Sequence, residues 1–435
     1  MLDLIIKNGE CYIDGNLQKV DIAIKDGSIH NIGKVDEEAN EIYDAKNQTV
    51  LPGCIDTQTH FREPGSTDTE DLHSGSRAAI AGGITAVFEM PNTNPPTSNK
   101  KEFQRKLDLA KNRMYCNYAF YFGATADNAN ELADLKNLEG CCGIKLFAGS
   151  STGNLLVANE KDIETVFQNA SKVVSVHSED EEILIRNKKL IKNGDVHSHP
   201  VWRSEECAIS STRRIVRIAE RYKKKAHILH VTTKQEVDFL SQHKGDITFE
   251  ITPQHLTIFA PDCYDKLGTY AQMNPPLRDK SHYDRLWYAV KNNMNDTIGS
   301  DHAPHLKVNK DKKYPNSPSG MPGVQTLMPV MLNHINEGRL SLTQLINLVC
   351  ENPVKIFGIQ NKGFIRVGYD ADFTIVDMNK TIKIENKKIE SKCGWSPFDG
   401  FEFKGTPVAT IIAGNIKMKN GEIIGEPDGT SLHFS

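Results

Sequence analysis

The two ends of the chain share one rhythm of apolar and polar positions, and the middle has another. Near the N-terminus Leu2, Leu4 and Ile6 recur at every second position, as do Val20, Ile22 and Ile24. Such alternation puts apolar side chains on one face of a β-strand. Asn8-Gly9 and Asp26-Gly27 read as hairpin turns, because both residues tolerate the positive φ that tight turns require. Asp372–Asp377 and Val408–Ile412 read as further short strands, and Asn420-Gly421 as another hairpin turn. The matching style predicts that residues 1–50 and 359–435 pack as one small β-sandwich domain, with residues 51–358 inserted between them.

In that middle segment short apolar runs alternate with longer amphipathic stretches. The runs Ala86–Met90, Tyr118–Phe122, Gly143–Phe147, Val173–His177, Ala226–Val231, Asp246–Ile251 and Thr297–Ser300 read as strands. Leu72–Ala81, Lys101–Lys111, Ile163–Ala170, Glu205–Tyr222 and Gln235–Gln242 read as helices. Repeated strand–helix units predict an α/β fold with a parallel sheet, and eight of them close a (β/α)8 TIM-type barrel. A doubly wound open sheet is the competitor, but no GxGxxG follows the first strand. Residues 306–323, rich in proline and glycine, read as a long loop of the kind that lines sites.

Composition narrows the function classes. A formal net charge of -4 over 435 residues gives no electrostatic footprint for nucleic acid. No apolar run approaches the length that spans a membrane. Nine cysteines without CxxC spacing, and no secretory pattern at the N-terminus, fit a reducing, cytoplasmic setting.

The candidate chemistry sits at or just past the ends of the apolar strands, which in a parallel barrel converge on one face. In the stretch Asp56–Gly65, Gln58, His60 and Arg62 point the same way if the strand extends that far. The His60 imidazole suits zinc, although a single histidine is more often structural. Lys145 lies inside the apolar run Ile144–Phe147, where an unpaired ammonium is costly. It either reaches out to water or carries a carboxylate added from carbon dioxide, and the residues alone leave both open. His177, His230 and Asp301 end three further strands. Together these are ligand types expected for zinc.

The motifs LPGCIDTQTHFREPG (51–65), AGGITAVFEMPNTNPPT (81–97), IKLFAGS (144–150), VSVHSED (174–180), ILHVTT (228–233), NPPLR (274–278), GSDHAPH (299–305), GMPGVQTLMP (320–329) and GYDADFTIVD (368–377) occur in this order. The series resembles the dihydroorotase family of the amidohydrolase superfamily, which also includes dihydropyrimidinases, hydantoinases and allantoinases. The resemblance implies His60, Lys145, His177, His230 and Asp301 as ligands of one or two zinc ions. It implies a carboxylated Lys145 as the bridging ligand and Asp301 as the catalytic acid–base. One position departs: Gln58 stands where the family carries the first histidine of HxH, and a neutral carbonyl is a weaker donor than imidazole.

By the same resemblance Arg62 and Asn92 grip a substrate carboxylate, His305 assists, and Asn274 contacts the ring. Allantoinases carry asparagine at the position of Arg62, and dihydropyrimidinases lack the REPG stretch. His255, preceded by Gln254 where a histidine is usual, has no assigned role. The small residues Gly149–Gly153 suit a loop that closes over a site. The expected activity is the reversible, zinc-dependent interconversion of L-dihydroorotate and N-carbamoyl-L-aspartate in de novo pyrimidine (UMP) biosynthesis. The expected partner is a small-molecule substrate, and the expected assembly is a homodimer. The alternatives are a hydantoinase- or dihydropyrimidinase-type cyclic amidase, and a catalytically silent homologue, which Gln58 motivates.

Overall fold

Eight parallel strands lie side by side in chain order: β1 (Cys54–Thr59), β2 (Ile84–Glu89), β3 (Asn117–Gly123), β4 (Cys141–Phe147), β5 (Val174–His177), β6 (Ala226–Ile228), β7 (Ile247–Ile251) and β8 (Thr297–Ile298). The computed structural model describes residues 1–151 and 155–435. The sheet curls until its edges meet. A parallel bridge joins Thr59 to His302, and the His60 amide donates to the His302 carbonyl at 2.7 Å. This is the (β/α)8 barrel that the strand–helix rhythm predicts. The strands are buried almost throughout, as expected where helices cover the outside.

The helices follow local rules. Leu72–Ala81 begins at Asp71, whose carboxylate accepts from the Ser74 amide, and the Ser74 hydroxyl reaches back to complete a capping box. Glu205–Tyr222 is capped by Ser204 and ends at Lys223, which is left-handed at φ 53. Its buried positions, among them Ala208, Ser211, Thr212, Ile215 and Ile218, follow the helical period.

The termini build two further sheets. Leu2–Lys7 pairs with Asp21–Lys25 and Ala39–Asp44, and Asp21–Lys25 pairs with Ser28–Gly33. Phe373–Lys383 and Glu402–Ile412 form the centre of the other sheet and take in Thr49–Pro52 and Glu10–Ile13. Leu4, Ile6, Ile22, Ile24, Val50, Phe373, Ile375 and Ile411 close a core between them. The β-sandwich from both chain ends is therefore present. Asp26-Gly27 and Asn420-Gly421 are hairpin turns, joining Lys25 to Ser28 and Lys419 to Glu422.

Asn8-Gly9 corrects the expectation. Leu2–Lys7 and Glu10–Ile13 belong to different sheets, so the dipeptide turns a corner of the sandwich and makes no hairpin. The physical reason is crowding: a Cβ on Gly9 would lie 2.8 Å from Val50 Cγ2, so glycine lets the chain cross where the layers meet. No helix among the described residues is long and apolar enough to cross a membrane.

Candidate active site at the mouth of the barrel

Nine of the ten sequence-predicted site residues line one cavity at the mouth of the barrel: Gln58, His60, Arg62, Asn92, Lys145, His177, His230, Asn274 and Asp301. The tenth, His305, stands behind Arg62, with Nε2 3.4 Å from the guanidinium. The expectation that β1 carries Gln58, His60 and Arg62 in one direction is met differently. β1 ends at Thr59, and Arg62 turns back toward the cavity through a left-handed backbone at φ 64. His230 and Asp301 are also left-handed, at φ 40 and 44. Non-glycine residues held there cost about 1–3 kcal/mol each, and such strain gathers at functional sites.

His60 and His177 present lone pairs inward. His60 Nδ1 donates to Asn92 Oδ1 at 2.8 Å, which leaves Nε2 unprotonated and facing Asp301 Oδ1 at 3.3 Å. His177 Nε2 donates to Glu179 Oε2 at 2.8 Å, which leaves Nδ1 facing His230 Nε2 at 3.1 Å. Two nitrogens on a tetrahedral zinc at about 2.0–2.1 Å stand a little over 3 Å apart, so this spacing fits. Gln58 Nε2 donates to Asp301 Oδ1 at 2.9 Å, while Gln58 Oε1 and His230 Nδ1 are buried without a hydrogen-bond partner among the described residues.

Electrostatics point the same way. Burial holds His60 and His230 well below the usual imidazole range, with Arg62 and His177 the next contributors respectively. Burial also pushes Lys145 down and Asp301 up, each opposed by the charge of the other. Lys145 Nζ rests 4.6 Å from the Phe147 ring. Neutral imidazoles, an amine inclined to be neutral and one carboxylate form a donor set that suits a divalent cation. His60 with Asp301 and His177 with His230 form two ends of it, and Lys145 lines the same cavity.

Among the described residues, one group of three His, Asp or Glu donors lies within 4.8 Å of one another, and it is elsewhere: Glu205, Asp279 and His282. His282 Nδ1 accepts from the Lys234 amide at 3.0 Å, so its proton sits on Nε2, 2.9 Å from Glu205 Oε1. Asp279 caps a helix through the Ser281 amide at 2.7 Å. This cluster satisfies itself, and its imidazole turns a proton, not a lone pair, toward Glu205.

Two residues with roles here went unassigned in the sequence. Glu179 holds His177 and is itself gripped by Arg203, whose second arm reaches the Ser150 carbonyl at 2.6 Å. Against the burial penalty, Arg203 and His177 pull the Glu179 carboxyl down to about 2. The H-x-E spacing was a signal for Glu179; nothing local marks Arg203. His255 is structural: it bonds Thr252 Oγ1 at 2.8 Å and lies near the Pro275 carbonyl at 3.3 Å. Of the small-residue loop, Thr152 and Gly153 lie outside the described residues.

The barrel and its inward-facing donor set make a candidate metal site, and the chain belongs to the amidohydrolase family, whose model matches residues 49–417. Within it, the chain is similar to proteins called dihydroorotase. The one from Methanosarcina acetivorans is 34% identical over 98% of this chain and 94% of that protein. The one from Pyrococcus furiosus is also 34% identical, over 98% and 96%. Among solved structures, an L-hydantoinase (dihydropyrimidinase) from Arthrobacter aurescens superposes with a TM-score of 0.94 at 29% identity, covering 99% of this chain and all, 100%, of that one.

Proposed function

We propose that this protein is a dihydroorotase, interconverting L-dihydroorotate and water with N-carbamoyl-L-aspartate. The observation that carries the reading is Arg62. Arg62 is 7% exposed, its Nε donates to the Pro304 carbonyl at 3.2 Å, and it makes no direct ion pair with a carboxylate among the described residues. Burial lowers it only to about 10, so it stays charged. Asp301 and Glu70 help to keep the charge, but no carboxylate touches it among the described residues, and a buried planar cation with a free face at the cavity wall suits an anionic ligand. Dihydroorotate carries a carboxylate; hydantoin and dihydrouracil do not.

His60, His177, His230 and Asp301, with Lys145 lining the same cavity, are the residues proposed to hold zinc, one ion or two. Bound zinc supplies an acidified water and a polarised carbonyl. Asp301, raised by burial toward the working pH range, takes the proton from the attacking water and returns it to the departing ring nitrogen. Arg62, Asn92 and His305 orient the substrate carboxylate, and Asn274 faces the ring. The lowered Lys145 favours a neutral amine, the form that adds carbon dioxide.

The test is a substrate comparison with the zinc-loaded protein. Dihydroorotate should be hydrolysed with a kcat/KM at least about 100-fold above hydantoin or dihydrouracil. The second reading, a hydantoinase-type amidase, draws on the L-hydantoinase structural match. Preference for the neutral rings would establish it in place of the first. No turnover of either ring class with zinc bound would favour the silent homologue.

A further inference from the structure

Lys310 is a fully buried lysine that no carboxylate pairs with among the described residues, and it lies outside the donor set. It ends the short helix Lys307–Lys310, just after His305. Its Nζ donates to three backbone carbonyls: Gln272 at 3.2 Å, Pro318 at 2.9 Å and Gly320 at 3.1 Å. An ammonium has three N–H donors, and here each has an acceptor. The Trp395 ring, 5.7 Å away, covers another side.

The three carbonyls come from two separate segments, and both reach the cavity. Gln272 lies two residues before Asn274, and Pro318 and Gly320 flank Ser319. Asn274, Ser319 and Gly320 all line the cavity. The Ser319 carbonyl accepts from His305 Nε2 at 2.9 Å. The segments also join directly, since the Gly320 amide donates to the Gln272 carbonyl at 2.9 Å and Gln272 Nε2 to the Ser317 carbonyl at 3.1 Å. Gly320 is held tightly: at φ 142, a Cβ on it would lie 2.4 Å from the Ala303 carbonyl. A buried cation is costly, so a neutral filler would serve better if packing were its only task.

We propose that Lys310 is a positioning residue of the active site: its ammonium ties the Gln272–Asn274 segment to the 318–320 segment and so sets Asn274 and Ser319 in the cavity wall and, through the Ser319 carbonyl, His305 behind Arg62. The tie is independent of the substrate's identity; its effect on binding rests on the reading above.

Protonation should therefore matter. Burial alone brings Lys310 down to about 7. Facing it are the three carbonyls, the Trp395 ring and the imidazole of His305, whose charged form burial and the cations of Arg62 and Lys310 disfavour. The neighbouring Asp311 carboxylate is taken by the Tyr270 hydroxyl at 2.8 Å. A neutral amine keeps two N–H groups and cannot serve three acceptors, so the tie weakens as pH rises through about 7.

The experiment is amide hydrogen exchange on the full chain without substrate, comparing Lys310→Met with the unaltered protein. Protection across 316–320 is expected to fall about tenfold or more while the barrel strands keep theirs. KM for dihydroorotate should rise about tenfold with kcat changed less than about threefold. Unchanged protection at 316–320 would overturn the tie, and lost protection with an unchanged KM would overturn its positioning role. If the unaltered protein does not turn over dihydroorotate, the substrate reading fails, and the exchange result still decides the tie. Should the variant not fold, the unaltered protein decides: corrected for intrinsic rates, protection at 316–320 should drop between pH 6 and pH 8.5, and a flat profile would overturn the proposal.

Discussion

Gln58 donates its side-chain amide to the Asp301 carboxylate at 2.9 Å and leaves its own carbonyl oxygen buried without a partner among the described residues. The carboxylate sets that orientation, because a flipped amide would press oxygen against oxygen. Gln58 is thus already engaged with a proposed ligand, and only its neutral oxygen remains to offer a metal. The His60–Asp301 end of the site should bind zinc more weakly than a site with imidazole at that position. Gln58→His is expected to tighten zinc there about tenfold or more, read by competition against a calibrated chelator with metal content measured per chain. Equal affinities in the two proteins would mean that Gln58 does not limit that end.

Arg62 should matter for the acidic ring and little for neutral ones. Truncating one partner of a buried charge pair costs about 2–5 kcal/mol, roughly 30- to 5,000-fold. Arg62→Met should lower kcat/KM for dihydroorotate within that range and leave any residual hydantoin hydrolysis nearly unchanged. An equal loss on both substrates would place Arg62 in the architecture of the mouth, not in substrate recognition.

Glu179 should act through His177. Its carboxylate holds the proton on Nε2 and so keeps Nδ1 available. Outer-shell partners of this kind are worth about 10- to 100-fold in metal affinity. Glu179→Gln should lose zinc affinity in that range while far-ultraviolet circular dichroism stays the same. Undiminished zinc affinity would remove Glu179 from the proposed role.

Lys362 joins the sandwich to the barrel. It pairs with Asp370 at 2.7 Å and with Asp372 at 2.5 Å, and Asp372 also accepts from Asn117 Nδ2 on β3 at 3.0 Å. Despite its burial, the two aspartates raise Lys362 above the ordinary lysine value. A raised lysine contributes stability that is fully present below its unfolded pKa and is lost as pH rises through the folded one. Lys362→Met should cost about 3–5 kcal/mol at neutral pH, because Asp372 is left buried. The gap between the two proteins in denaturant titrations should narrow above about pH 10.4. A constant gap across that range would show that charge is not the source of the difference.

What the sequence made legible follows from how local each signal is. Glu205–Tyr222 was readable because its cap and amphipathic period lie within the segment itself. His60, His177, His230 and Asp301 were readable because parallel strands deliver their C-terminal ends to one place. β8 is only two residues long, too short to carry a period, so its place rested on the motif that follows it. The corner at Asn8-Gly9 was misread because one dipeptide serves both a hairpin and a crossing between layers. Arg203 and Lys310 had no local mark, since their partners, Glu179 for one and Gln272 for the other, lie 24 and 38 residues away in the chain.

The barrel's seam has a consequence for assembly. Thr59 meets His302 across it, the His60 amide bonds the His302 carbonyl, and Gln58 reaches Asp301 over the same line. The first and last staves of the cylinder therefore carry the halves of one donor group. Until they are zipped, His60 and Asp301 have no reason to be neighbours, and a chain with that edge open would offer a cation only the far pair. Loading with zinc should accordingly report on completion of the cylinder, and stripping the ion should be felt first along this join.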